Sequence, residues 1–275
     1  MELFQTAKKR IADRKEVIME EDYGLEEIHK KLLEALIELD AICQKHGIHY
    51  SLHGGTLLGA VRNQKFIPWD DDLDITMTRR NYIKFKKACR GLKGKYYLNE
   101  LDTWVPRFAT RDKKEVVFID IFIWDFISKN KVAQAVKINL LRILQGTLKR
   151  NIVYKDYSAK NQILLKASAI IGKPFSRKFK LRVFETVQKK CFLGDHTCIH
   201  KSNDSFKGVS EIYEKSFMDS YTRLPLEGRT FMVMKDYKKL LVVSFGPDYM
   251  TPPPEKERKA RHEIQRKNFL TEDRS

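Results

Sequence analysis

The chain has 275 residues, 42% hydrophobic and 32% charged, with 53 Lys and Arg against 36 Asp and Glu and a net charge of +17. That composition belongs to a globular protein with a full core and excludes a disordered or fibrous chain. No stretch approaches about 18 consecutive apolar residues, and Met1 to Arg10 lack the apolar centre of a signal peptide, so a cytoplasmic protein is expected. Cys43, Cys89, Cys191 and Cys198 are scattered, and in that compartment they are expected as reduced thiols.

In chain order, residues 5–46 read as helical, with Leu25, Ile28, Leu32, Leu33, Leu36 and Leu39 repeating about every 3.6 residues and Gly47 as a stop. Ile48 to Leu52 reads as a short strand entering the turn His53-Gly54-Gly55, and Thr56 to Arg62 as one or two helical turns. Asp72-Leu73-Asp74-Ile75-Thr76-Met77 alternates polar and apolar, the pattern of a strand. Arg80 to Cys89 follows as a helix closed by Gly91 and Gly94, then a strand near Tyr96-Tyr97-Leu98. A strongly apolar strand is expected from Val116 to Trp124. Residues 131–190 lack alternation and read as two or three helices, carrying 15 Lys or Arg against Asp156 and Glu185. Val132, Val136, Leu140, Leu141, Leu144 and Leu148 form their apolar stripe, and Gly172-Lys173-Pro174 breaks the block. Short strands and turns resume from about 191. Glu255 to Lys267, after Pro252-Pro253-Pro254, reads as a terminal helix. The expected division is 1–130, 131–190 as a basic helical insertion, and 191–275 completing one compact unit.

The chemistry concentrates in the first part. In a strand, residues two apart share a face, so Asp72 and Asp74 point one way and Leu73, Ile75 and Met77 the other. Two carboxylates that close resist ionising together. A hard divalent cation relieves the repulsion and takes oxygen ligands. Asp72 and Asp74 are therefore candidate metal ligands, with Asp70 a further ligand or an orienting group. Asp71 is expected to point away in a structural role. Asp120 stands in the otherwise apolar run Val116 to Trp124, where an ionised carboxylate needs a metal or a buried Arg or Lys partner. Asp125 reads as a cap or turn residue. Gly54, Gly55 and Thr56 open a helix where backbone N–H groups suit a phosphate, and Arg62 can add a charge-assisted contact; a plain tight turn and an exposed arginine are the alternatives. Cys191, His196, Cys198 and His200 lie close together but fit no standard zinc spacing. His53, Glu227 and His262 are weaker candidates.

These residues resemble the nucleotidyltransferase superfamily: a strand, a Gly-Gly turn, an Asp-x-Asp strand and a third Asp on a neighbouring strand. Within it, His53 to Ile75 resembles the LicD family of phosphotransferases, which includes the fukutin-related proteins. Phe118-Ile119-Asp120-Ile121-Phe122, Leu226-Glu227-Gly228 and Phe245-Gly246-Pro247-Asp248-Tyr249-Met250 resemble it too. Trp124 and Phe245 depart modestly from that pattern.

The resemblance implies an α/β (α+β) fold, with a nucleotidyltransferase-like mixed sheet flanked by helices. It implies transfer of a phospho-alcohol, typically phosphocholine, from a CDP-linked donor such as CDP-choline to a sugar hydroxyl of a cell-surface glycan precursor (teichoic acid, lipopolysaccharide or capsule). Mg²⁺, or Mn²⁺, would be held by Asp72, Asp74, Asp120 and Asp70, with one carboxylate, Asp120, as base. The acceptor is expected to be a lipid-linked or anionic glycan, with residues 131–190 in peripheral contact with the anionic inner face of the membrane and no stable nucleic-acid partner. Trp69, Trp104, Tyr97 and Trp124 are candidates to face a choline headgroup. The rival readings are a nucleotidyltransferase that releases pyrophosphate and a noncatalytic polyanion-binding protein, whose affinity would fall steeply with salt.

Overall fold

The computed structural model describes residues 23–112, 117–150 and 152–260. Helix α1 spans Glu26–Lys45 and ends as expected before Gly47, which takes the left-handed φ of +59° that a helix stop requires. Of the expected terminal helix, Glu255–Glu257 form a single 3-10 turn and 258–260 are not helical; residues 261–267, His262 and the expected helical residues 5–22 lie outside the described residues. There follow β1 (Ser51–Leu52), α2 (Gly54–Arg62), β2 (Asp74–Thr78), α3 (Arg79–Ala88), β3 (Tyr96–Asn99), β4 (Arg107–Thr110) and β5 (Phe118–Ile127). Helices α4 (Lys131–Leu148), α5 (Ala159–Gly172) and α6 (Arg177–Lys189) form the basic block. The chain ends with β6 (Cys198–Lys201), β7 (Ile212–Glu214), a hairpin of β8 (Tyr221–Leu226) and β9 (Arg229–Met234), and α7 (Tyr237–Phe245).

The fold is a curled mixed sheet of seven strands flanked by helices. Its spine is β5. On one side β2 runs parallel to it, with Asp74 opposite Asp120 and Thr76 opposite Phe122; β1 pairs antiparallel beyond β2. On the other side β4 covers the first part of β5 and β6 the second, both antiparallel. The inner face of β2 and β5, with Ile75, Met77, Ile119, Ile121 and Ile123, is fully buried against Leu32, Leu36 and Leu39 of α1 and Phe85 of α3. Strand β4 was not expected: Arg107-Phe108-Ala109-Thr110 is too short and weakly patterned to announce itself.

Two expectations are corrected. Asp125 is neither cap nor turn but a buried residue inside β5. Its carboxylate takes Nε of Arg79 at 2.9 Å and Nη2 at 2.5 Å, and the Ser202 hydroxyl at 2.5 Å. In α4 the apolar stripe is only partly the buried one. Leu141 and Leu148 are buried, whereas Val132, Val136 and Leu140 face outward. Their place is taken by Gln134, Gln145 and Lys137, whose ammonium donates to the carbonyls of Phe126 and Gln188, both at 2.7 Å.

The Arg79–Asp125 pair bridges α3 to the sheet in a buried setting, so losing one partner strands the other charge. Asp125→Ala is expected to lower the unfolding free energy by about 3–5 kcal/mol, read as the urea midpoint at unchanged slope. A loss below about 1 kcal/mol, the range of a surface pair, would show that water reaches this pair.

Candidate active site

The site is built where β2 and β5 begin. Because the strands are parallel and in register, Asp74 and Asp120 stand side by side on one face, about 4.8 Å apart along the hydrogen-bonding direction. Asp72 precedes the strand rather than lying in it, since β2 starts at Asp74. Its charge still reaches the site. Burial first, then the charges of Asp72, Asp120, Asp70 and Asp204, hold the Asp74 carboxyl well above the usual carboxylate range. Asp71 is fully buried, in line with a structural part.

The glycine pair has a sharper explanation than a tight turn. A Cβ on Gly54 would lie 2.7 Å from Oδ2 of Asp74, and one on Gly55 would lie 1.8 Å from Oδ2 of Asp70. Gly54 also has a φ of +54°. Both positions are open so that two carboxylates can sit against the start of α2. Thr56, expected near a phosphate, has its hydroxyl accepting from the Asp74 backbone N–H at 3.1 Å, while the His53 N–H donates to the Asp74 carbonyl at 2.9 Å. Arg62 is at the far end of α2, about 12 Å along the axis from Gly54, where it donates to the carbonyl of Tyr249. The geometry thus gathers Asp70, Asp72, Asp74, Asp120, Gly54, Gly55 and Thr56 and leaves Arg62 apart.

Asp120 has the cationic partner that was its alternative reading: Arg107 Nε donates to Oδ1 at 2.7 Å. Arg107 is the residue opposite Asp120 across β4 and β5. No local signal marks it; only the strand register does. Lys201 and Asp204, at the end of β6, were also missed. The Lys201 ammonium is buried against Asp204 at 2.8 Å, Glu211 at 3.2 Å and Nε2 of His53 at 3.2 Å. An ammonium only donates, so Nε2 of His53 accepts. Burial and Lys201 keep this imidazole well below its usual proton affinity. The hydrogen then resides on Nδ1, which is buried and has no partner. Asn203 pins the turn by accepting from the Ile123 N–H at 2.7 Å and donating to the Ile121 carbonyl at 2.9 Å.

Two supports hold the acidic loop from behind. His29 on α1 donates from Nε2 to the Asp70 carbonyl at 2.7 Å. Glu227 and Gly228 form the two-residue turn between β8 and β9, both with positive φ. There the Glu227 N–H donates to the Gln64 carbonyl and its carboxylate accepts from the Phe66 N–H, both at 2.8 Å. The expected aromatic residues do not form a cage. Trp124 is buried against Tyr213, Arg111 lies over Tyr97, and Trp104 packs near Leu148 and Phe184. Trp69, next to Asp70, has the Arg258 guanidinium 5.1 Å from its ring.

Among the described residues no three His, Cys, Asp or Glu side chains form a closed metal cage. That holds for Cys191, His196, Cys198 and His200, where Nδ1 of His200 bonds the Val209 carbonyl at 2.9 Å. At the aspartates the donor chemistry suits a hard cation: several carboxylates crowd around Asp74 and raise its proton affinity. Side-chain rotation is needed to bring them to one point. Among the described residues no helix is long and apolar enough to cross a membrane.

Residues 47–142 match the LicD/FKTN/FKRP nucleotidyltransferase domain. The chain is 29% identical over 243 residues to the lipopolysaccharide cholinephosphotransferase LicD of Haemophilus influenzae, covering 81% of this chain and 89% of that protein. Shorter similarities, 41% and 39% identical over 56 residues, join it to uncharacterised proteins of Rickettsia typhi and Rickettsia prowazekii, covering 20% of this chain. The matched residues hold the Gly-Gly turn, β2 and β5, so the chain carries a region similar to the LicD/FKTN/FKRP nucleotidyltransferase domain and aligns with a LicD relative along most of its length.

Proposed function

We propose that the protein transfers phosphocholine from CDP-choline to a sugar hydroxyl of a lipopolysaccharide or related cell-surface glycan precursor, using Mg²⁺ or Mn²⁺. The observation that carries this reading is the pairing of Asp74 with Asp120 at the start of parallel strands, where the charges of Asp72, Asp70 and Asp204 also bear on Asp74. The similarity to a cholinephosphotransferase supplies the transferred group.

Asp72, Asp74 and Asp120, with Asp70 beside them, would hold the metal. When bound, it neutralises charge on the diphosphate and on the departing CMP. The chain's own residues supply position. Gly54 and Gly55 let the carboxylates reach the start of α2, and the N–H groups of a helix start suit a phosphate. His53, neutral and with its Nδ1 hydrogen unpartnered, can donate to a phosphate oxygen. Arg107 fixes the Asp120 carboxylate, which takes the proton of the acceptor hydroxyl. The acceptor oxygen bonds to the phosphorus that carries the choline, and the bond from that phosphorus to CMP breaks. Positioning and electrostatic stabilisation carry most of such a step. Trp69 is the aromatic face nearest the acidic loop that already receives a cation, and it suits the choline headgroup.

The test is CMP release from CDP-choline, CDP-ribitol and CDP-glycerol, with Mg²⁺ and a lipid-linked glycan fraction. Acceptor-dependent release from CDP-choline above the other donors is expected. Release from another donor alone would replace choline. No CMP from folded protein, with pyrophosphate formed from CTP or ATP, would move the reading to nucleotidyl transfer.

A further inference from the structure

Helix α5 is built the wrong way out for a soluble protein. A surface helix ordinarily turns its apolar side inward. Here the side that docks is narrow, with Leu165 as its apolar residue beside Ser168 and Gly172. Ser168 of α5 packs so closely on Gly146 of α4 that a Cβ on Gly146 would lie 2.7 Å from the serine Cβ, and Gly172 meets Thr147 at the same distance. These two contacts fix the rotation of α5 and send its isoleucines outward. Ile163 is 70% exposed, Ile170 73% and Ile171 59%. Just beyond the helix, Phe175 and Phe179 stack with ring centres 5.2 Å apart, both exposed. An apolar surface of this kind marks a contact with a partner or a membrane.

The charge around it selects the occupant. From Tyr157 to Phe184 there is no Asp or Glu, and there are seven Lys or Arg. A cavity of about 390 Å³ lies between the segment that leads into α5 and the first residue of α6, lined by Lys149, Arg150 and Arg177 together with Trp104, Tyr157 and Asp102. A second copy of this surface would meet seven like charges, which disfavours self-association. Anionic lipid headgroups answer the charge, and an acyl boundary answers the isoleucines. The loop Asp102 to Trp104, which helps form the cavity, runs into Arg107 and so to Asp120.

We propose that α5 is an interfacial anchor, lying in the plane of a bilayer rich in anionic lipid with Ile163, Ile170 and Ile171 entering the acyl boundary. This deepens the functional reading, since a lipid-linked acceptor is met at such a surface, but its test reads binding and not transfer. It also narrows the expected contact from residues 131–190 to one helix, held by insertion as well as by charge.

The experiment is cosedimentation of the full chain with vesicles of phosphatidylcholine alone and with added phosphatidylglycerol, at low and high salt. Wild type is expected to bind the anionic vesicles, with part of the binding surviving high salt. Ile163→Glu/Ile170→Glu is expected to weaken it by roughly tenfold or more, and Ile163→Leu/Ile170→Leu to restore it. Both variants change exposed positions, and their thermal midpoints check folding. Equal binding by wild type and the Glu variant overturns the proposal, as does a wild type that binds no vesicle. So does a wild-type dimer that the Glu variant turns monomeric with vesicle binding unchanged. CMP release from a water-soluble acceptor by the Glu variant reports the catalytic site separately, so failure of one reading is distinguishable from failure of the other.

Discussion

Asp74→Asn and Asp120→Asn are each expected to cut CMP release by about 10²–10⁴-fold, the effect of removing several kcal/mol of transition-state charge stabilisation. Their stabilities should move in opposite directions. Asp74 is buried among Asp72, Asp120, Asp70 and Asp204, and a neutral amide relieves that repulsion. Its metal-free thermal midpoint is expected to rise by about 2–4 °C, the shift of roughly 1 kcal/mol in a chain of this size. Asp120→Asn instead weakens the pair with Arg107 and leaves a half-buried guanidinium poorly matched, so its midpoint should fall. Saturating Mg²⁺ should stabilise wild type, by about 2.7 kcal/mol at a hundred times its dissociation constant, and leave Asp74→Asn nearly unmoved. Scanning calorimetry with and without Mg²⁺ reads all of this. A destabilised Asp74→Asn that still responds fully to Mg²⁺ would remove Asp74 from the metal-binding set.

The contrast between those two aspartates shows what a sequence can hold. Asp74 was legible because alternation about Leu73, Ile75 and Met77 sets its face, and Asp120 because a carboxylate in an apolar strand demands a reason. Their side-by-side pairing follows once both strands are parallel and in register. Arg107, Lys201 and Asp204 were not legible. Their roles depend on which residue stands opposite which across strands far apart in the chain, and nothing local distinguishes them from surface charges. Helix α4 misled for the reverse reason: its best apolar spacing runs through Val132, Val136 and Leu140, yet the packed side includes Lys137 and Gln145, because buried carbonyls and the Asp204 turn need donors there. Periodicity counts apolar residues and is blind to polar groups buried to satisfy a backbone.

Gly54 and Gly55 separate two accounts of the same turn. If the glycines served only to present backbone N–H groups to a phosphate, a methyl group at Gly55 would be tolerated wherever the ligand leaves room. The geometry makes a different demand. The methyl of Gly55→Ala would fall 1.8 Å from Oδ2 of Asp70, and the carboxylate, being the end of a flexible side chain, must swing aside. The loss should therefore fall on activity, about 10–100-fold, with little change in the thermal midpoint. Gly54→Ala adds strain from its φ of +54°, costing about 1–2 kcal/mol, and displaces Asp74 as well, so both activity and stability should drop. A double-mutant cycle decides the matter, because residues that share one contact are not additive. With Asp70→Ala already present, Gly55→Ala should cost almost nothing further, since the atom it collides with is gone. Full additivity of the two substitutions would return the glycine to the phosphate.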